Sequence, residues 1–204
     1  MFENIIKNVH NRHPLIHCIT NYVSINDCAN IVLACGGAPI MAEDINEVSQ
    51  ITSICQGLDI NIGMLNDNKL SSMLKAGATA NELGIPVILD PVGAGSSDYR
   101  IKAVQNLMSN VQFGVIRGNV SEIKVIAAKQ GIHNIAAGVY ETMQKNKSAM
   151  GVEAGIADKI TDDNIKEMAD FINKLSQKTG AVIAVTGGID MVADENPVYA
   201  IRNG

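Results

Sequence analysis

Charge is scarce in this sequence. Only 18% of its 204 residues are Asp, Glu, Lys or Arg, 16 basic against 21 acidic, so there is no basic surplus to follow a phosphate backbone. Nucleic acid is therefore not an expected partner. Long apolar runs are missing too. The longest uncharged stretch near the N-terminus, Cys28 to Ala42, is broken by Asn30, Gly36, Gly37 and Pro39 and is too short to span a bilayer. A secretory leader needs a basic start and then an apolar block, and Lys7, His10, Arg12 and His13 stand where that block would lie. The expectation is a cytoplasmic protein with no membrane partner. No CxxC pair occurs. The four cysteines, Cys18, Cys28, Cys35 and Cys55, sit in the first quarter of the chain and suggest neither a zinc ribbon nor a disulfide framework, so they read as buried thiols. Disorder needs low hydrophobicity and high net charge, whereas this chain is 47% hydrophobic at a formal charge of −5. That supply of apolar residues suits one sizeable core, and 1–204 reads as a single domain.

What is present alternates. Pro14 to Ile19 is a short apolar run that turns polar at Thr20-Asn21, the mark of a buried strand reaching its carboxyl edge. Ser24 is placed to cap a helix over Ile25 to Ala34, which Gly36-Gly37 stops before a strand at Ala38 to Met41. Asp44 and Glu47 have the spacing of a capping box opening a helix to Cys55, and Leu58 to Ile62 alternates toward Gly63. Lys69 to Leu83 carries Leu70, Met73, Leu74, Gly77 and Ala80 at helical spacing, and Gly84 ends it. Ile85 to Leu89 is continuously apolar, as in a strand covered on both faces. A helix near Ile101 to Met108, a strand Phe113 to Ile116, and a turn Arg117-Gly118-Asn119 into another helix follow. The segment 127–159 has four glycines and weak periodicity, with a possible short helix at Val139 to Lys147. Asp163 to Lys178 shows one apolar face, and Ala181 to Val185 is a strand. Ile189 to Val192 and Val198 to Ile201 read as paired strands around Asp194 to Pro197. Strand and helix in alternation predict an α/β fold with a mostly parallel sheet, since parallel neighbours need helical crossovers.

In such sheets ligands bind beyond the carboxyl ends of the strands. The polar residues there are Asn21, the run Met41-Ala42-Glu43-Asp44, Asn61 and Gly63, Asp90, and Arg117-Gly118-Asn119 with Glu122 one turn on. Asp90 and Glu122 are suited to organising Mg²⁺ and its waters, and the Arg117 guanidinium to neutralising phosphate oxygens. Asp44 reads as a helix cap. Asp90-Pro91-Val92-Gly93-Ala94-Gly95 follows a buried strand, and its glycines allow close backbone approach. No GxxxxGK[ST], GxGxxG or GxSxG motif is present. His17 lies inside an apolar strand and reads as a core histidine. His10, His13 and His133 make no metal-ligand spacing.

The runs Pro14 to Val23, Pro39 to Asp44, Leu89 to Gly95 and Ile116 to Ile123, continued by Ala184 to Asp190 and Ile201 to Gly204, closely resemble the hydroxyethylthiazole kinase family. The resemblance covers essentially the whole chain. It implies a ribokinase-like fold, with helices on both faces of the sheet, and transfer of the ATP γ-phosphoryl group to the hydroxyl of 4-methyl-5-(2-hydroxyethyl)thiazole in thiamine salvage. By position, Met41 and Asn21 match the thiazole contacts, Arg117 and Thr186 the ATP contacts, and Asp90 and Glu122 the acidic positions that organise Mg²⁺. Homotrimers with sites at subunit interfaces are usual in the family.

Members of that family continue past the counterpart of Asn203-Gly204 into a Thr-Gly-Thr-Gly-Cys segment opening a helix. Its backbone N–H groups hold the transferred phosphoryl group, and its cysteine assists deprotonation of the alcohol. The resemblance thus implies a chain without its C-terminal helices and with no catalytic residue of its own. Negligible turnover is the corresponding expectation, since losing an anion hole costs about 10²–10³ in rate. Two other readings stand beside it: a non-catalytic subunit that binds thiazole or nucleotide, and a related small-alcohol kinase such as a hydroxymethylpyrimidine kinase.

Overall fold

The computed structural model describes residues 2–132, 159–195 and 197–203. The possible helix at Val139 to Lys147, and His133, lie outside them. The chain divides into two compact units, one of Met1–Ile88 with Ser109–Gln112, the other of Leu89–Met108 with Phe113–Gly204.

The first unit opens with helix α1 (Phe2–Arg12), an element the sequence reading lacks although Ile5, Ile6 and Val9 stand at helical spacing. Strand β1 (Leu15–Ile19) lies between β2 (Ala38–Ile40) and β3 (Gly57–Asn61), parallel to both. Helices α2 (Ile25–Ala34) and α3 (Val48–Ile54) make the crossovers that parallel pairing requires. Side chains alternate across β1. His17 and Ile19 point to the face where α3 lies, while Cys18 points to the face of α2, so this sheet is covered on both sides. Helix α4 (Asp67–Glu82) begins where the Asn66 side chain accepts from the Lys69 N–H at 2.9 Å, and it ends before Gly84, whose φ of +68° suits glycine. Its buried face is Met73, Ala76, Gly77 and Ala80. Gly77 has no substitute there, because a Cβ would come within 2.5 Å of the Val111 side chain.

Two local expectations fail in this unit. Asp44 and Glu47 form no capping box: the Asp44 carboxylate accepts from Asn46 N–H at 2.9 Å, closing its own turn, and α3 starts only after Glu47. The strand β4 (Val87–Asp90) is not covered on both faces either, for Val87 and Leu89 are buried but Ile88 is 40% exposed. The cysteines also divide. Cys18 and Cys55 are buried as expected, Cys28 is half-buried and Cys35 is exposed.

The second unit receives the end of β4 and all but the last two residues of helix α5 (Asp98–Asn110), then β5 (Val115–Asn119), α6 (Val120–Lys129), α7 (Ile165–Thr179), β6 (Val182–Thr186), β7 (Ile189–Ala193) and β8 (Val198–Arg202). Strands β5 and β6 are parallel; β7 and β8 continue the order antiparallel. The segment Arg117-Gly118-Asn119 is therefore no turn. It is the end of β5, paired with Ala184, Val185 and Thr186. Helices α6 and α7 pack on β5 to β7 and bury Ile116, Ile183, Val185, Met191 and Ala193. The alternate positions are only half-covered or open, with Tyr199 59% and Ile201 51% exposed. Met168, Phe171, Ile172 and Leu175 form the buried stripe of α7, and Gly180 closes it at φ +68°. No helix among the described residues is long and apolar enough to cross a membrane.

Candidate functional site

Four of the six candidate residues belong to the second unit. Asp90 ends β4, and its carboxylate stands 3.5 Å from the Arg117 guanidinium on β5. Arg117 is 53% exposed and Asp90 20%, so the positive group reaches solvent while the negative one is set back. Thr186 is the register partner of Asn119, and its hydroxyl donates to Gly118 O at 3.4 Å. Register puts Arg117, Asn119, Thr186 and Asp190 on one face of the sheet, the less covered one. The structure thus gathers Asp90, Arg117 and Thr186 around the carboxyl ends of parallel strands.

Glu122 has a different position. It is buried at the first turn of α6, where Asn119 and Glu122 form a reciprocal capping box. One oxygen accepts from Asn119 N–H at 2.8 Å, and the other from Gly93 N–H at 2.9 Å. One side chain therefore fixes both the start of α6 and the Asp90-to-Gly95 loop. Gly93, at φ +65°, presents its N–H in a conformation other residues rarely adopt. Gly118 is required for the same clamp, since a Cβ there would stand 2.9 Å from a Glu122 oxygen. Arg100 holds the loop from the other side, donating to Val92 O at 2.8 Å.

Asp190 was not a sequence candidate, and it organises the Thr186-Gly187-Gly188 turn. It accepts from Asn203 Nδ2 at 2.8 Å and from Gly187 N–H at 2.9 Å. Those two bonds, with a contribution from the Arg117 charge, hold its carboxyl below the usual aspartate range.

Asn21 and Met41 belong to the first unit. Asn21 caps the carboxyl end of β1. Its Nδ2 donates to Asn61 Oδ1 at 3.2 Å and its Oδ1 accepts from Ser24 N–H at 3.0 Å. Gly63 completes this knot, donating its N–H to Asn61 Oδ1 at 2.8 Å, and a Cβ on it would crowd both asparagines. Met41 is half-buried just after β2. Its neighbour Ala42 is anchored by His17, whose Nε2 donates to Ala42 O at 2.8 Å while Nδ1 lies 2.9 Å from the Thr52 hydroxyl. His17 is the satisfied core histidine expected. Burial lowers its pKa, against the opposing effects of the Ala42 bond and the Glu47 charge.

A second group missed by sequence reasoning lies beside that loop. Lys69, 3% exposed, pairs with Glu43 at 2.7 Å, donates to Thr20 O at 2.9 Å and stands 4.3 Å from the centre of the Tyr22 ring. The Tyr22 hydroxyl also bonds Glu43. Burial alone would raise the Glu43 pKa, but the bonds from Lys69 and Tyr22 and the Lys69 charge outweigh it and hold the carboxyl low. The available signal was Lys69 itself, a charge four residues before Met73 on the buried face of α4.

The acidic residues fit a hard cation. Their donors are all oxygen, Asp90 standing at the strand end, whereas both Glu122 oxygens already accept backbone N–H groups.

Comparison with known proteins identifies relatives of the chain as a whole. The model of the hydroxyethylthiazole kinase family matches residues 6–162. A hydroxyethylthiazole kinase of Clostridium acetobutylicum is 52% identical over all 204 residues, which cover 69% of that protein. Among solved structures, a hydroxyethylthiazole kinase protein from Pyrococcus horikoshii superimposes with a TM-score of 0.79 at 30% identity, over 98% of this chain and 66% of that one. A ribokinase-like superfamily protein from Enterococcus faecalis shares the fold alone, with a TM-score of 0.50 at 8% identity. The chain spans about two thirds of the length of these relatives, 69% and 66% for the first two.

Proposed function

This chain belongs to the hydroxyethylthiazole kinase family, and from that premise we propose that its two units carry the thiazole-holding and nucleotide-holding parts of an ATP-dependent alcohol kinase. Asp90 and Arg117, 3.5 Å apart on adjacent strand ends, carry the reading for the second unit. The exposed guanidinium forks onto phosphate oxygens, and Thr186 donates its hydroxyl to a neighbouring one. Asp90, with Glu122 behind it, holds a hydrated Mg²⁺, which when bound supplies charge neutralisation on the phosphates. Glu122 keeps the Gly93 loop still, so the rim is ordered before nucleotide arrives.

In the first unit Met41 offers a polarizable thioether to the flat face of a thiazole, and Asn21 shapes the adjoining strand end. Ala42, pinned by the buried His17, keeps Met41 from drifting. Catalysis on this scheme is positioning plus electrostatics at the transferred phosphoryl group. The homotrimer usual in the family would cover exposed apolar residues of this unit, such as Val23 and Ile31, 89% and 61% exposed.

Calorimetry with Mg-ATP and with the thiazole alcohol, followed by an assay for the phosphorylated alcohol, tests the proposal. Binding of both with turnover establishes the kinase. Binding of both without turnover limits the chain to holding the two ligands. Failure to bind either overturns the reading.

A further inference from the structure

Cys18 on β1, Cys28 on α2 and Asp59 on β3 have no part in the site proposed above. Cys18 and Asp59 are register partners in the parallel ladder, so their side chains leave the sheet on one face, and α2 lays Cys28 over them. One donor atom from each, two sulfurs and a carboxylate oxygen, all fall within 4.8 Å of one another. We propose that Cys18, Cys28 and Asp59 form a binding site for a thiophilic divalent cation of the zinc class.

Tetrahedral zinc, with bonds of about 2.3 Å to sulfur and about 2.0 Å to oxygen, needs its donors roughly 3.3–3.8 Å apart, a closure within reach of side-chain rotation. Two sulfurs select against magnesium and calcium. Access is graded suitably: Cys18 is 2% exposed, whereas Cys28 and Asp59 are half-buried and open toward solvent. Binding forms two sulfur–metal bonds, releases the two thiol protons to solvent and leaves a fourth position for water. The same thiols could instead form a disulfide, but a carboxylate beside them opposes the thiolate that must attack, whereas a cation is drawn to it. The site ties β1 to α2, the two elements flanking the Asn21-to-Ser24 loop, and Cys28 also donates its N–H to Ser24 O at 2.8 Å.

The test uses the full chain with the exposed Cys35 removed as Cys35→Ser, reduced, stripped by a chelator and titrated with Co²⁺. The expected result is a single Co²⁺ bound, with sulfur-to-cobalt charge-transfer absorption in the near ultraviolet that Zn²⁺ abolishes. Cys28→Ala should halve the band, and Asp59→Asn should weaken the affinity roughly tenfold or more. Both positions are half-buried, so these variants keep the test independent of any folding defect from Cys18→Ser. No charge-transfer band, or one unchanged in Cys28→Ala, overturns the proposal. So does a Cys18–Cys28 disulfide that forms in air despite equimolar Zn²⁺.

Discussion

The two units solve the same problem with different coverage. In the first, helices lie on both faces of three parallel strands, and the charge near the strand ends is taken inside: Lys69 is 3% exposed and anchored by Glu43, Thr20 and Tyr22. In the second, α6 and α7 bury one face only, and the charge at the rim, Arg117, stands 53% exposed while backbone bonds to Glu122 do the fixing. Rigidity thus comes from a buried lysine paired with a carboxylate at the surface in one unit and from a carboxylate holding main-chain N–H groups in the other. The difference matches the ligands proposed. A small apolar ring needs a dry, fixed wall, whereas a triphosphate needs a cation that is still solvated and ready to exchange water for phosphate oxygens.

The largest effect should come from Glu122→Ala, which strips acceptors from Gly93 N–H and Asn119 N–H together. A loss of about 3 kcal/mol in urea unfolding is expected, with Mg-ATP binding lost and thiazole binding kept in calorimetry. If thiazole binding goes too, the units are not independent. Glu43→Gln comes next, because it leaves the buried Lys69 with a carbonyl and a ring but no countercharge. About 2 kcal/mol and a weakened thiazole site are expected, with Mg-ATP affinity unchanged.

Acid should separate the units in time. The folded-state pKa of His17 is lowered from 6.5, so the unfolded chain takes up its proton first and stability falls as pH drops below 6.5. The stability that Glu43, lowered from 4.5, and Asp190 in the second unit, lowered from 3.8, contribute is present above those values and is lost only as pH falls below them. Hydrogen exchange between pH 7 and 5 should show β1 and α3 losing protection before β5 and β6, and His17→Gln should remove that order. The smallest stability effect belongs to Arg117→Ala, within about 0.5 kcal/mol because the side chain is exposed. Its Mg-ATP affinity should nevertheless fall at least roughly tenfold, or about 1.4 kcal/mol.

Much of the fold was legible because apolar runs and helical spacing report burial directly. Strands β1 and β3, helix α4 with its stop at Gly84, and helix α7 with its stop at Gly180 follow from pattern alone. Caps were less legible, since spacing states what can bond and not what does. Asp44 and Glu47 stand three apart, as do Asn119 and Glu122, yet only the second pair closes, because Asp44 turns back to Asn46. Arg117-Gly118-Asn119 looks like a turn by composition. Its glycine serves a neighbour, the Glu122 carboxylate, which no local reading includes. The Lys69 cluster needs three segments brought together, Thr20-Tyr22, Glu43 and α4, and no spacing rule spans them.

Glu122 meets two backbone donors with two oxygens. Glutamine, its nearest isostere, brings one oxygen and one amide group that can only donate, so whichever way it rotates a donor faces a donor. A saturation scan at this position should therefore reject the closest look-alike as firmly as unrelated residues, a signature separating a lock on the main chain from a side chain valued for its size.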